Sequence, residues 1–191
     1  ALPASVEEAS GATEDREIRR VIVAGFGPVG RAISENLAEE NVEVTIVDLN
    51  PQTVRTQTGL GRTAIYGDAS NPEVLESAGL RDADAVILTI PDDAAVIAAC
   101  QVIRKAAPDV FIAARTDFLS RGMLASGFGA DLVTVDELAT AEVMQRDVMK
   151  RLRERRLPPA EECATGSPEE EPGSESVSES EPPADRDGQA G

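Results

Sequence analysis

The chain predicts a single α/β domain built on a doubly wound parallel sheet of six strands. Three observations carry that reading. Six short runs rich in Val, Ile, Leu and Ala alternate with six segments of helical character between residues 19 and 157. The runs are almost continuously apolar rather than alternating, which marks strands covered on both faces. The intervening segments open on helix-start signals, Asn50-Pro51, Asn71-Pro72 and Asp92-Asp93, with a capping side chain or a first-turn proline. Strand and helix taking turns in this way produce parallel pairing.

In chain order, the first strand is "RVIVAG", which meets three glycines and then a helical segment over residues 29–39. The second, "VEVTIVD", stops at Asp48 and is followed by a helix over 51–59. The third, "TAIYG", leads to a short helix over 72–78. The fourth, "DAVILTI", precedes a longer helix over 93–106, and the fifth, "VFIAAR", precedes one over 118–126. The sixth, "DLVTV", runs into a long helix over 137–156. Its apolar stripe, Leu138, Ala141, Val143, Met144, Val148 and Leu152, suits either a partner helix or the domain's own sheet. Aromatic residues make up only 3% of the chain, so the core must come from aliphatic side chains.

The two ends differ in composition. Residues 158–191 are Pro, Glu, Ser and Gly with almost no large apolar groups, and residues 1–18 are similarly polar. Such segments bury too little surface to offset their ordering entropy. We read a linker at the start and a disordered acidic tail at the end. The tail carries ten acids and one base, and the first twenty residues five acids and three bases. The stretch 21–157 therefore holds only −6 of the net −17. A nucleic-acid partner is not expected, because it needs a concentrated basic face. No apolar run is long enough to span a bilayer, and the first residues lack the basic head and apolar stretch of a signal peptide. Cys100 and Cys163 have no meaningful spacing for a metal site or bridge, and we expect reduced cytosolic thiols.

The chemistry begins at Gly25-Phe26-Gly27-Pro28-Val29-Gly30, directly after the first strand and opening a helix. Gly25 permits the tight turn, Gly27 lets a pyrophosphate approach the backbone, and Gly30 lets helix pack on strand. The helix N-terminus offers unpaired N–H groups and partial positive charge to phosphates. Asp48 ends the second strand 18 residues beyond Gly30, where an acid accepts the ribose hydroxyls. A carboxylate there repels a 2′-phosphate, so NAD is expected over NADP. This is a Rossmann-type dinucleotide site by spacing and context together.

The strings that follow are more specific. Gly67-Asp68-Ala69-Ser70, Asn71-Pro72-Glu73-Val74-Leu75 and Ala78-Gly79-Leu80, then "FIAARTDFLSRGMLASGFGADLVTV" and "ELATAEVM", resemble the TrkA-N, or RCK, nucleotide-binding domain that regulates potassium transport. The likeness covers residues 20 to about 152 and is strongest to the cytosolic domain of Kef-type monovalent cation:proton antiporters. It implies a ligand among NAD, NADH, AMP, ADP and ATP. It places the ligand's contacts along the glycine loop, at Asp48 with Leu49 beside it, and at Asp68 and Ala69 near the adenine. Thr89 after the fourth strand, and Arg115 near the phosphates or a neighbouring subunit, complete the set. It also implies a homodimer or higher even oligomer, and a cytoplasmic location at the inner face of the membrane through a cation transporter. Pro28 departs from members that carry a basic residue between the second and third glycines, which weakens any γ-phosphate contact.

The residues themselves leave bland roles open: Asp68 as the cap of the next helix, Arg115 as a surface ion-pairing residue. No catalytic or metal residues are expected. The chain has no His, and its one tyrosine, Tyr66, has no lysine four residues on. Hydride transfer needs an acid–base group within reach of the reacting atom. A sensor is therefore expected rather than an enzyme, with a dinucleotide-binding domain of an NAD-dependent oxidoreductase as the alternative.

Overall fold

The computed structural model describes residues 17–155. The predicted linker lies almost wholly outside that range, and the predicted tail, Cys163 included, wholly so. Six strands form one sheet: β1 (Arg20–Ala24), β2 (Glu43–Asp48), β3 (Thr63–Tyr66), β4 (Ala85–Leu88), β5 (Phe111–Thr116) and β6 (Leu132–Val135). Their order is β3-β2-β1-β4-β5-β6. Every neighbouring pair is parallel. The order reverses between β1 and β4, and in open α/β sheets ligands sit beyond the strand ends at such a reversal.

The helices are α1 (Pro28–Glu39), α2 (Pro51–Gly59), α3 (Pro72–Ser77), α4 (Asp93–Ala106), α5 (Leu119–Gly127) and α6 (Asp136–Glu154). Boundaries lie within one or two residues of the sequence reading. A short 3-10 turn at Leu80–Asp82 is additional. Three starts are capped as their residues predict: the side chains of Asn50, Asn71 and Asp92 accept from Gln52 N, Glu73 N and Ala94 N.

The core divides by sheet face. Ile22, Ala24, Val86, Leu88, Ile112 and Ala114 join Leu75 of α3 and Val96, Ala99, Cys100 and Ile103 of α4 in the larger cluster. Val21, Val23 and Ala85 point the other way, with Leu37 of α1 against them. That second face is thinner than the apolar runs suggest. The parallel register aligns Ala85 with Phe111, Ile87 with Ala113, and Ala113 with Leu132, so all five side chains share it. Phe111 and Leu132 are exposed there. Near-continuous apolarity did not mean two covered faces in β5 and β6.

The long helix resolves an open choice. α6 buries no residue, and Val143, Met144, Val148 and Met149 stand exposed. Of its stripe only Leu138 is half-buried; from Ala141 onward it stands exposed. None of the described helices is long and apolar enough to cross a membrane.

At the start of β5, away from the reversal crevice, Arg104 ties three segments together. Its Nε and Nη2 donate to the Gly129 carbonyl at 3.2 and 2.7 Å, and Nη1 donates to Val110 O at 2.9 Å. Nη2 also pairs with Asp131 at 2.7 Å, and the same carboxylate oxygen accepts the Ile112 N–H. Gly129 itself sits at φ +104°, which favours glycine. One turn before Arg104, Cys100 is fully buried, and burial pushes its thiol up to about 11.

Candidate functional site

The C-terminal ends of β1, β2, β4 and β5 open onto a crevice of about 820 Å³. That volume suits a small-molecule site. Its floor is the turn between β1 and α1. Gly25 has φ +91°, and a Cβ there would meet the Thr89 backbone at 2.9 Å. Gly30 is tighter still: a Cβ would lie 2.0 Å from the Gly25 carbonyl oxygen. Gly27 is different. A Cβ on it would meet nothing within 4 Å, so no protein atom calls for glycine there. It opens α1 with no side-chain cap. Helices leave their first N–H groups without backbone partners, so those of Val29 and Gly30 are available to an anion.

Side chains brace this turn from both sides. One Asp48 oxygen accepts the Phe26 N–H at 2.6 Å and the other accepts the Asn50 N–H at 2.7 Å. From β4, the buried Thr89 hydroxyl donates to the Gly25 carbonyl at 2.6 Å. Gly67 makes room for the α3 packing: a Cβ there would lie 2.6 Å from Val74 Cγ2. At the β5 end of the crevice, Arg115 donates from Nε to both Asp136 oxygens at 2.9 Å. Its Nη2 bonds Asp136 and, at 3.1 Å, Asp117. The Asp136 hydrogen bond is the main reason the Arg115 pKa is raised.

Residues 21–136, more than half of the chain, match the TrkA-N domain family. The chain belongs to the TrkA-N family. Among curated relatives, the Escherichia coli O139:H28 protein "Glutathione-regulated potassium-efflux system protein KefC" is 35% identical over 112 residues. That alignment takes in 58% of this chain but 18% of the relative. The solved TrkA-N domain of the Escherichia coli inner membrane protein ybaL superposes with a TM-score of 0.65 at 25% identity, covering 68% of this chain and 96% of that one. The Shewanella denitrificans Kef C-terminal domain, solved in an AMP-bound form, gives 0.63 at 22% identity, with 70% and 81% covered. At that identity the likeness concerns the fold.

In this TrkA-N domain the predicted residues fall as follows. Gly25, Phe26, Gly27, Pro28, Val29, Asp48, Leu49, Asp68, Ala69, Thr89 and Arg115 all line the crevice. Gly30 does not; it is buried in the contact between α1 and the turn. Thr89 lines the wall, yet its hydroxyl is directed at the turn's own carbonyls. Asp68 does not cap α3. That cap is Asn71, while Asp68 accepts the Ser70 N–H at 2.8 Å. Arg115 is ion-paired, as the alternative reading expected, but half-buried rather than on the open surface: its Nε/Nη2 edge is occupied by Asp136.

Asp136 also lines the crevice, as do Thr53, Pro91 and Asp92, and none of these was predicted. The rule that ligands gather at the C-terminal ends of strands points to Asp136, which directly follows β6. No group of three or more His, Cys, Asp or Glu among the described residues could hold a metal.

Proposed function

We propose that the crevice binds NAD(H) or an adenine mononucleotide, and that the chain is the regulatory domain of a potassium or other monovalent cation transport system. It spans 18% of the curated relative quoted above, so the transport activity belongs to the longer assembly. The carrying observation is Gly27. Glycine stands where packing does not require it, at an uncapped helix start beside Asp48, which is the arrangement a bound phosphate needs. Asp48 accepts the adenosine ribose hydroxyls while keeping the Phe26 and Asn50 N–H groups. Asp68 and Ala69 flank the adenine, and Arg115 lies toward the phosphates.

The relatives supply the setting: a potassium-efflux protein and a Kef C-terminal domain that carries AMP. The bare apolar face around Phe111 and Leu132, and the exposed stripe of α6, fit self-association and contact with a transporter at the inner face of the membrane. Ligand then acts by its differential affinity for two arrangements of that assembly. The domain does no chemistry on the nucleotide in this reading.

The test is calorimetric titration with NAD, NADH, AMP, ADP, ATP and NADP, on wild type and Gly27→Asp. The added Cβ meets nothing within 4 Å, and an N-cap carboxylate takes the helix N–H groups itself while repelling phosphate, so binding is lost while the melting temperature holds or rises. Binding of NADP equal to NAD, or nucleotide binding that ignores Gly27→Asp, overturns the site. Ion flux through the cognate transporter that ignores nucleotide overturns the sensor role.

A further inference from the structure

We infer that Asp136 sets the ligand-charge selectivity of the crevice by holding Arg115 away from phosphate. The inference rests on the nucleotide reading above and deepens it.

The charges lining the crevice are lopsided. Asp48, Asp68, Asp92 and Asp136 face it, and Arg115 is the only cation among the lining residues. Arg115 is already committed. A guanidinium recognises phosphate best through its two-pronged edges. The Nε/Nη2 edge is closed on Asp136, and Nη2 also serves Asp117. Only Nη1 has no partner among the described residues. Asp93 adds a further carboxylate within electrostatic reach, while its oxygen accepts the Asp117 N–H at 3.0 Å. One guanidinium therefore faces three carboxylates. An incoming phosphate meets no net positive charge at this end.

Position decides which phosphate feels this. Strands are about 4.8 Å apart. Asp48 on β2 and Arg115 on β5 are separated by three strand spacings, on the order of 14 Å across the sheet. A nucleotide whose ribose sits at Asp48 puts its first phosphate at the β1 turn, beside Gly27. Only later phosphates extend toward β5. The first phosphate is thus bound by backbone N–H groups and the helix start, and additional phosphates run into the Asp136 end. The site selects a monophosphate, or a dinucleotide whose diphosphate stays at the turn, against a triphosphate.

Neutralising Asp136 reverses this. In Asp136→Asn the charge that holds the Arg115 fork is removed, leaving only a weaker neutral acceptor, and the side chain keeps its size. The experiment is calorimetric titration of the whole chain, wild type, Asp136→Asn and Arg115→Gln/Asp136→Asn, with AMP, ADP and ATP without divalent metal. Circular dichroism melts verify folding of each. The expected result is a rise in ATP affinity of about tenfold in Asp136→Asn, the scale of one recovered charge-assisted hydrogen bond. AMP stays within about twofold, ADP falls between, and the double variant loses the gain. Equal gains for AMP and ATP, no gain for ATP, or a gain that survives Arg115→Gln overturns the inference. If wild type binds AMP and Gly27→Asp abolishes it, the nucleotide reading stands whichever of these is found. If wild type binds none of the three, both fall.

Discussion

Arg104 and Arg115 stand at opposite ends of β5 and use their donors differently. Arg104 reaches backbone carbonyls of two loops and one aspartate that itself accepts a backbone N–H. Arg115 reaches side-chain carboxylates alone, in a crevice, and leaves Nη1 without a partner among the described residues. The first arrangement adds side-chain bonds to loops that the Asp131–Ile112 backbone contact already draws together. The second is a set of exchangeable ion pairs, with the Asp136 and Asp117 side chains 41% and 44% exposed. One end of the sheet is built to stay closed, and the other has an arginine whose partner can be replaced.

The contrast breaks or sharpens under substitution. Arg104→Met removes the side-chain donor to the Gly129 and Val110 carbonyls and leaves Asp131 with only the Ile112 N–H. The expected cost is about 2–3 kcal/mol, read as a fall in melting temperature of about 5–10 °C, with nucleotide affinity unchanged in the folded protein. A neighbouring effect concerns pH. The Cys100 thiol ionises near 9 when unfolded and about 11 when buried, with Arg104 partly opposing the shift. The unfolded state therefore loses its proton first, and stability falls as pH rises from 9 toward 11. The loss is on the order of 2 kcal/mol, read as a stability–pH slope in urea titrations that Cys100→Ala removes.

Arg115→Met is expected to cost about 1 kcal/mol or less, because its exposed carboxylate partners rehydrate. If it destabilises as much as Arg104→Met in the same melts, the two ends are not different in kind. The smallest effect is Gly27→Ala. With nothing within 4 Å of the added methyl, stability shifts by a few tenths of a kcal/mol. Nucleotide affinity nevertheless drops, as titration calorimetry measures.

What could be read from the sequence was whatever is local. The three glycines and the caps at Asn50, Asn71 and Asp92 act within a few residues of the turn they shape, and Asp48, though 22 residues from the Phe26 N–H it accepts, stands at the fixed offset of the dinucleotide motif. The Arg115–Asp136 pair joins residues 21 apart on different elements, so no spacing rule reveals it. Arg104 and Asp131 are 27 apart and were invisible for the same reason. The bare face at Phe111 and Leu132 escaped notice because an apolar strand looks alike whether a helix or another chain covers it. Asp68 was misjudged as a possible cap because Asn71, three residues on, offers the same chemistry closer to α3.

The braced turn has a kinetic and entropic consequence. Asp48, Thr89 and the Gly30 contact hold the β1–α1 loop in one conformation through hydrogen bonds the protein makes to itself. The conformational freedom of that loop is given up on folding, not on association. A ligand reaching it meets a preorganised cradle, so the backbone of residues 25–30 should scarcely move between free and bound states. Whatever rearrangement accompanies binding must then be sought across the crevice, where α6 begins.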